Sequence, residues 1–367
     1  MCGICGWIGH SRIDPSILDR MTGALAHRGP DHQDTYVRGN VGLGHTRLSI
    51  LDLSPLGNQP MHSADGSVSI TYNGEFYDFE KYRNELISQG QTFRSHCDTE
   101  VIIHLYLRYG ISFVEKLRGM FALAIWDHRS QELFLIRDRV GKKPLYYCCD
   151  ANGFAFASEL KALICHPDVS RSIDPYALDT YFRLGYVPKS DSIFSSVRKL
   201  EAGHYLRYKD GRIEVTQYWN IPPAEETRGN MSWDEASETL SQLLRESVAL
   251  RLVSDVPVGM LLSGGTDSSL VATLAAEQSA EPLKTFSIGF DEEQFNELPY
   301  ARQIASHIGS EHYEHVVKLD ETELIADLAP YFDEPFADPS LLPTYLVSKM
   351  ARQHVKVALS GDGGDEL

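Results

Sequence analysis

The sequence predicts two domains of different fold class, an α+β domain over residues 1–215 and an α/β domain with a parallel sheet over residues 236–367. Short apolar segments broken by turn residues fill the first domain, whereas strands and helices alternate in the second. Between them, residues 216–235 contain paired prolines and a polar run, which is typical of a linker between domains.

The composition agrees with two full-sized domains and narrows the choice of partners. The chain has 367 residues, 43% of them hydrophobic, and a formal net charge of −17. Nucleic acids and membrane surfaces select basic faces, so this charge argues against either partner. The start, MCGICGWIGH, lacks the features of a signal peptide, and the six cysteines suit reduced thiols. We therefore expect a cytoplasmic protein without a membrane span.

The first domain is expected to hold antiparallel strands with flanking helices. Its predicted strands are apolar, β-branched or aromatic segments cut by Gly, Asn and Asp, at residues 41–51, 68–79, 121–127, 132–139 and 144–149. One helix is clear, because Asp98 can cap it, Val101, Ile102 and Leu105 begin an apolar stripe, and Gly110 can end it.

The second domain shows the alternation that produces a parallel sheet. Its predicted strands are 256–262, 283–290, 312–319 and 355–361. Its predicted helices are 268–278, 297–309, 320–331 and 341–354. Parallel strands need crossover connections, so helices should cover both faces of this sheet.

Cys2 is a candidate nucleophile because of its position. If Met1 is removed, the free α-amine, whose reference pKa is about 7.7–8.0, can take the proton of a thiol whose ordinary pKa is about 8.5. Position alone leaves two other interpretations open. Cys2 could be an ordinary buried cysteine, or it could form a redox or metal pair with Cys5.

Six further motifs follow MCGICG in order. They are HRGPD (27–31), RLSIL (47–51), YNGEFYD (72–78), CDTEV (97–101), GMFALAIWD (119–127) and ASELKAL (157–163). Together with MCGICG they closely resemble the class-II glutamine amidotransferase domain of asparagine synthetases, over essentially residues 1–210. The resemblance implies a four-layer αββα N-terminal-nucleophile glutaminase fold in which Cys2 attacks glutamine. It also implies a homodimer that pairs through this domain.

The chemistry of glutamine hydrolysis suggests roles for residues in these motifs. A tetrahedral oxyanion needs fixed donors, which the Asn73 side-chain amide and the Gly74 N–H could supply. Arg47 suits the α-carboxylate of glutamine because its guanidinium is a planar fork. Taken alone, Arg47 could equally form a surface ion pair.

Further contacts with glutamine are expected at four positions. Glu75 and Asp98 suit the α-ammonium group, although Asp98 taken alone could be only a helix cap. The resemblance adds backbone contacts near Ile50 and Leu51.

Two glycine-rich segments indicate a nucleotide site in the second domain. LLSGGTDSS (261–269) follows a predicted strand and opens a helix, so its backbone N–H groups can face a phosphate. It is neither a Walker A loop nor GxGxxG. It resembles the SGGxDS loop of enzymes that split ATP into AMP and pyrophosphate. SGDGGDE (360–366) resembles the later ATP and metal segment of asparagine synthetases, which implies an ATP-pyrophosphatase domain of the adenine-nucleotide α-hydrolase-like fold.

The resemblance assigns ATP and Mg²⁺ as cofactors and gives residue roles. The expected nucleotide contacts are Leu262, Ser263, Gly264, Gly265, Asp267, Ser268, Ile288, Ser360 and Gly361. Asp267 and Asp365 would share the metal ion. Some relatives carry Glu at the position of Asp362, where it helps to form the adenylated intermediate. The segment 333–349 is expected near the pocket for aspartate and its adenylate.

The implied reaction is glutamine-dependent asparagine synthesis. Cys2 hydrolyses glutamine to glutamate and ammonia, ATP adenylates aspartate, and ammonia displaces AMP to give asparagine. The family's synthetase domain continues beyond the motif at 360–366, so we expect a truncated synthetase half behind an intact glutaminase. Three alternatives stay open: a glutaminase only, a non-catalytic subunit, and an amidotransferase that acts on another carboxylate.

Overall fold

The computed structural model describes residues 1–150, 152–223, 231–318 and 324–364. These residues form two compact units, each with its own sheets and apolar core. Unit 1 comprises Met1–Pro222 together with Phe332–Ala337, and unit 2 comprises Pro223–Tyr331 and Asp338–Leu367. Unit 1 is therefore discontinuous in sequence.

Unit 1 contains two six-stranded sheets in which every strand pairing is antiparallel. Its strands are β1 (Gly3–Gly9), β2 (His32–Arg38), β3 (Val41–Arg47), β4 (Met61–His62), β5 (Val68–Phe76), β6 (Gly119–Asp127), β7 (Glu132–Arg137), β8 (Tyr146–Asp150), β9 (Gly153–Ala157), β10 (Arg198–Lys199), β11 (His204–Lys209) and β12 (Arg212–Gln217). The first sheet has the order β10-β8-β9-β1-β3-β2, and the second has the order β12-β11-β7-β6-β5-β4.

Helices cover the outer face of each sheet in unit 1. They are α1 (Pro15–Gly23), α2 (Phe79–Ser88), α3 (Asp98–Tyr109), α4 (Leu160–Leu163) and α5 (Pro175–Leu184). Helices α1 and α4 pack on the first sheet, and α2 and α3 pack on the second. A third apolar cluster lies between the two sheets. The layer order is therefore α–β–β–α, which confirms the predicted four-layer fold.

Strand β6 shows why this layering follows from the sequence. Its alternate residues Phe121, Leu123 and Ile125 belong to the cluster under α2 and α3. The intervening Ala122 and Ala124 belong to the cluster between the sheets. Because successive side chains of a strand point to opposite faces, a strand between two apolar layers must be apolar throughout.

The five strands predicted for this domain correspond to β3, β5, β6, β7 and β8, and α3 ends at Gly110 as expected. The prediction that Asp98 caps this helix is wrong by one residue, because Cys97 occupies the cap position and Asp98 is the first helical residue. Several short strands and helices were not predicted, among them β1, which follows Cys2.

Unit 2 has a four-stranded parallel sheet of order β15-β14-β13-β16, which confirms the predicted α/β class. Its strands are β13 (Val258–Leu261), β14 (Lys284–Phe290), β15 (Glu311–Val317) and β16 (Val357–Leu359). Its helices are α6 (Trp233–Leu252), α7 (Thr266–Gln278), α8 (Leu298–Ile308), α9 (Leu324–Leu328) and α10 (Leu341–Arg352). Residues 320–323 of the predicted helix 320–331 lie outside the described residues.

The first helix of unit 2, α6, was not predicted. It begins with a capping box in which Ser232 and Glu235 bond to each other's backbone N–H groups. Val248 is the one fully buried side chain in this helix, so the apolar stripe that usually reveals a helix is weak. Within the described residues, no helix combines the length and the hydropathy needed to cross a bilayer.

Backbone segments approach each other closely at Gly29, in the first motif after MCGICG. A Cβ atom built on Gly29 would lie 2.2 Å from the carbonyl carbon of Thr46 and 2.4 Å from the amide nitrogen of Arg47. These are backbone atoms, which cannot rotate away. By contrast, a Cβ atom on Gly23, at the end of α1, would meet nothing within 4 Å.

We expect Gly29→Ala to destabilise unit 1 by about 1–3 kcal/mol, the usual cost of overpacking. Gly23→Ala is the matched control and should be neutral or slightly stabilising, because alanine favours a helix over glycine. The measurement is the urea denaturation midpoint of each variant. Equal midpoints for the two variants would contradict the packing argument.

Candidate active site

Cys2 lies where β1 starts beside the end of β3. The antiparallel register pairs Gly3 with Thr46, which brings Cys2 next to Leu48. The Leu48 N–H donates to the Cys2 Sγ atom at 3.4 Å, and Sγ lies 3.8 Å from the Leu48 carbonyl oxygen. A Cβ atom on Gly3 would approach Thr46 Oγ1 to 2.6 Å, so glycine permits this contact between the strands.

The electrostatic surroundings of Cys2 act in opposite directions. Burial raises the pKa of the Cys2 thiol, while the Leu48 N–H, the N-terminal charge and Arg47 lower it. Burial prevails, so the pKa lies above its ordinary value and the thiol is protonated at neutral pH. A nucleophilic Cys2 therefore requires a nearby base.

Asn73 and Gly74 lie on β5, where they pair with Ala122 and Phe121 of β6. Asn73 is only 1% exposed, and its Nδ2 atom is buried without a hydrogen-bond partner among the described residues. A buried donor left unpaired is costly, so such a group is a candidate for binding an incoming anion. At Gly74 a Cβ atom would lie 2.2 Å from the Met120 carbonyl oxygen, so only glycine fits.

His45 fixes β5 against β3 next to Asn73, a role that the sequence did not reveal. Burial lowers its pKa to about 3, so the imidazole is neutral. Its Nε2 lies 3.1 Å from the Tyr72 carbonyl oxygen and donates to it. Thr71 adds a second link, because its hydroxyl donates to the Gly44 carbonyl at 3.1 Å.

Asp98 connects the start of α3 to the same stretch of β5. Its Oδ2 atom accepts hydrogen bonds from the Tyr72 hydroxyl at 3.0 Å and from the Phe76 N–H at 2.9 Å. Burial raises the pKa of Asp98 in spite of these two donors. Its negative charge also raises the pKa of the Cys2 thiol, so the structure brings Asp98 into the electrostatic surroundings of Cys2.

Arg47 holds the loop that follows β3. Its Nη1 donates at 2.8 Å to the Ser54 carbonyl and at 2.8 Å to Asn58 Oδ1. Its Nη2 donates to the carbonyls of Leu51 and Asp52. The loop carries the predicted backbone contacts Ile50 and Leu51, both half-buried, and Glu75 of β5 is also half-buried. A role for these residues in binding glutamine stays a prediction.

Unit 2 holds a cavity of about 700 Å³ at the carboxyl ends of its parallel strands. Its walls include most residues that were predicted for nucleotide binding: Leu262, Ser263, Gly265, Asp267, Ser268, Ile288, Ser360 and Gly361. Asp362, which was predicted for formation of the adenylated intermediate, also lines the cavity. Gly264 is not among the lining residues. It has φ +86°, and a Cβ atom there would lie 2.6 Å from the Ala301 amide nitrogen. The volume is typical of sites for nucleotide-sized ligands.

The two glycine-rich segments of unit 2 lie against each other. A Cβ atom on Gly361 would approach the Ser268 amide nitrogen to 2.5 Å, and one on Gly364 would approach Asp267 Oδ2 to 2.5 Å. Within the first segment, the Ser263 and Ser268 hydroxyls are 2.9 Å apart. The predicted metal ligand Asp365 lies outside the described residues.

Comparison with known proteins agrees with this division of the chain. Residues 1–219 match the family model of the glutamine amidotransferase domain, and residues 239–367 match that of asparagine synthase. A Methanocaldococcus jannaschii protein, provisionally named glutamine-hydrolysing asparagine synthetase 2, is 37% identical over 100% of this chain and 75% of its own length. This chain belongs to the glutamine-hydrolysing asparagine synthetase family.

Other members of the asparagine synthetase family are longer than the part matched here. Asparagine synthetase 1 of Bacillus subtilis is 36% identical over 99% of this chain but only 58% of its own length. A protein named Amidase chry2, from Gibberella zeae, is 35% identical over 100% of this chain and 59% of its own. A solved structure of glutamine phosphoribosylpyrophosphate amidotransferase from Bacillus subtilis matches 86% of this chain and 81% of its own at 16% identity. Its TM-score of 0.46 is too low to support a structural conclusion.

The asparagine synthetase motifs contain residues whose contacts were not predicted. Arg28, in HRGPD, donates from Nε to the Cys2 carbonyl oxygen at 2.8 Å. The segment expected near the aspartate pocket divides in two: Pro343, Thr344 and Val347 line the cavity, whereas Asp333 and Glu334 bind residues of unit 1. A place for the start of that segment near the aspartate pocket stays a prediction.

We expect the raised pKa of Cys2 to appear in its alkylation by iodoacetamide. In the chain that retains Met1, the rate at Cys2 should still be rising at pH 9, because only the thiolate reacts. A thiol with the ordinary pKa of about 8.5 would be approaching its plateau there. Mass spectrometry of the N-terminal peptide gives the rate, and Cys2→Ser shows the contribution of Cys5. A plateau below pH 8 would contradict the burial argument.

Proposed function

We propose that this chain is a glutamine-dependent asparagine synthetase, in which unit 1 hydrolyses glutamine and unit 2 activates aspartate with ATP. The observation that carries the proposal is the Asn73 side-chain amide, which is buried and has no hydrogen-bond partner among the described residues. Asn73 lies on β5, which contacts β1, the strand that begins directly after Cys2. A buried donor in this position suits a reaction in which a carbonyl oxygen acquires negative charge.

Glutamine hydrolysis follows from the groups in unit 1. The Cys2 sulfur attacks the side-chain amide carbon, and the thiol proton passes to the α-amine that removal of Met1 exposes. The carbonyl oxygen becomes an oxyanion, which the Asn73 amide and the Gly74 N–H stabilise. Collapse breaks the C–N bond, ammonia leaves with the transferred proton, and water then hydrolyses the thioester to glutamate.

Recognition of glutamine requires both charges in its amino-acid group to be matched. The buried Asp98 carboxylate and Glu75 suit the α-ammonium group, and Arg47 suits the α-carboxylate. Because both Nη atoms of Arg47 already donate to the loop, a carboxylate that bound there would replace some of these bonds and so couple the shape of the loop to the substrate.

The cavity of unit 2 supports the ATP-dependent half of the reaction. The loop of residues 263–268 opens helix α7, so its N–H groups and the positive end of the helix suit a phosphate. Asp267 lines the cavity and supplies the carboxylate oxygens that Mg²⁺ prefers. When bound, Mg²⁺ would neutralise the departing pyrophosphate. Ile288 and Leu262 suit the adenine ring. We propose that Asp362 helps to form the adenylated intermediate and that Asp365 binds the metal ion.

The main alternative for the synthetase half is that it amidates a carboxylate other than aspartate. Amidase chry2 is nearly as similar to this chain as the proteins named asparagine synthetase. Similarity at this level therefore does not select aspartate over another carboxylate.

The decisive experiment incubates the protein with glutamine, aspartate and Mg-ATP and quantifies glutamate, asparagine and pyrophosphate. We expect asparagine and glutamate to form in step, and Cys2→Ala to abolish glutamate formation while exogenous ammonia still supports asparagine. Asp267→Asn should abolish pyrophosphate and asparagine but leave glutaminase activity. Glutamate without asparagine or pyrophosphate would overturn the synthetase half of the proposal.

We expect Asn73→Ala to lower kcat for glutamine hydrolysis by about 10²–10³-fold, the usual effect of losing one oxyanion donor. KM should change little, because the donor acts mainly on the transition state. Asn152→Ala is the matched control, since Asn152 is exposed, and should leave kcat unchanged. Steady-state glutamate release measures both. An Asn73→Ala enzyme with normal kcat would remove Asn73 from the oxyanion site.

A further inference from the structure

The segment Phe332–Ala337 is part of unit 1, although the chain on both sides of it belongs to unit 2. Two consecutive carboxylates attach it. Glu334 accepts from the Ile193 N–H at 2.8 Å and lies 2.7 Å from Lys199 Nζ. Asp333 lies 3.1 Å from Lys161 Nζ. A backbone hydrogen bond from the Ala337 N–H to the Gly185 carbonyl, at 2.8 Å, adds a third attachment.

The Asp333 attachment continues into a chain of ion pairs that ends at Cys2. Lys161 Nζ lies 2.9 Å from Glu159 Oε2, and Arg28 Nη1 lies 2.5 Å from Glu159 Oε1. Arg28 Nε donates to the Cys2 carbonyl oxygen at 2.8 Å. We name this series of residues, Asp333–Lys161–Glu159–Arg28, the carboxylate relay. The two partners of Glu334 described above, Lys199 and the Ile193 N–H, are not members of this relay.

The relay is shielded from water along its length. The side chains of Arg28, Glu159 and Asp333 are 8%, 14% and 9% exposed, and that of Lys161 is 20% exposed. Pairs this far from solvent are screened less than surface pairs, so a change in one charge is felt by the next. Although burial raises it, hydrogen bonds from Lys161 and Arg28 hold the pKa of Glu159 below its usual range.

Arg28 depends on Glu159 for its orientation. Its Nε and Nη1 atoms make the two bonds described, and its Nη2 is buried without a hydrogen-bond partner among the described residues. The direction of the guanidinium is therefore set by Cys2 on one side and by Glu159 on the other. If Glu159 shifted towards Lys161, its bond with Arg28 Nη1 would lengthen. The guanidinium would then be held less firmly against the Cys2 carbonyl oxygen.

We propose that Asp333 is a positioning residue for Cys2, acting through Lys161, Glu159 and Arg28. Asp333 forms an ion pair with Lys161 and so weakens the pull of Lys161 on Glu159. Glu159 can then hold Arg28 in place. This inference rests on the proposed function, in which Cys2 attacks glutamine. Under this proposal, the rate of glutamine hydrolysis at Cys2 depends on Asp333, which lies far from Cys2 in the sequence, in the segment before α10.

The test compares Asp333→Asn with Glu334→Gln in the full chain. Asp333→Asn keeps the shape but removes the charge, so Lys161 loses its ion pair with Asp333 and keeps the one with Glu159. We expect kcat for glutamine hydrolysis to fall about three- to tenfold with KM within about twofold, because a misplaced nucleophile reacts slowly without losing substrate affinity. Glu334→Gln detaches the same segment from Lys199 without touching the relay and should leave kcat unchanged. Asp333→Glu retains the charge and should recover part of the loss.

The alkylation rate of Cys2 by iodoacetamide at fixed pH is the second readout. It should differ from the parent protein in Asp333→Asn and stay unchanged in Glu334→Gln. Equal effects of the two variants on kcat would show that attachment of the segment matters and the relay does not. A normal kcat in Asp333→Asn would overturn the proposal directly. If the parent protein released no glutamate, the proposed function would fail, and the alkylation rates alone would decide whether the relay reaches Cys2.

Discussion

Thr46 of β3 is packed so tightly that its two glycine neighbours, Gly3 and Gly29, can carry no side chain. Gly3 and Gly29 both approach Thr46 within distances that exclude a Cβ atom, and Gly44 approaches Thr22 in the same way. This close approach places the start of β1 against β3 and puts the residue before Gly3 beside Leu48. The position of Cys2 is therefore a consequence of backbone packing.

The other residues that we propose for the glutaminase site are attached to the same strand. His45 and Gly44 of β3 bond to β5, which carries Asn73, and Arg47 at the end of β3 holds the loop that follows. The apolar layer between the two sheets covers these polar groups from water. A neutral histidine, an amide without a partner among the described residues and a carboxyl of raised pKa are each unfavourable in a core. The three apolar clusters of unit 1 offset that cost.

Local patterns in the sequence were sufficient for the fold class of each unit. Apolar segments cut by turn residues predicted the antiparallel strands of unit 1, and alternating strands and helices predicted the parallel sheet of unit 2. The four-layer arrangement of unit 1 came from the family resemblance, and binding of a phosphate at the turn before α7 stays a prediction. Contacts between distant residues were not accessible in this way. The Arg28–Glu159 pair joins positions 131 residues apart, and neither side chain has a local signature that identifies its partner. The same holds for His45, which lies in an ordinary strand.

Helix α6 was missed for a different reason. Its residues are mostly exposed, so the apolar periodicity that identifies a helix is faint, and its capping box falls inside a stretch that reads as a linker. The start of α3 was displaced by one residue because Asp98 directs its carboxylate to Tyr72 and Phe76. Here a tertiary contact overrode a local preference.

The discontinuity of unit 1 has a consequence for the order of events during synthesis. The ribosome releases the N-terminal segment first, and domains generally fold as they emerge. Lys161 and Lys199, however, also form ion pairs with Asp333 and Glu334, which are made only after most of unit 2. The nascent amidotransferase unit therefore lacks two of its ion pairs until this late segment is made, and its maturation is linked in time to that of the unit that follows.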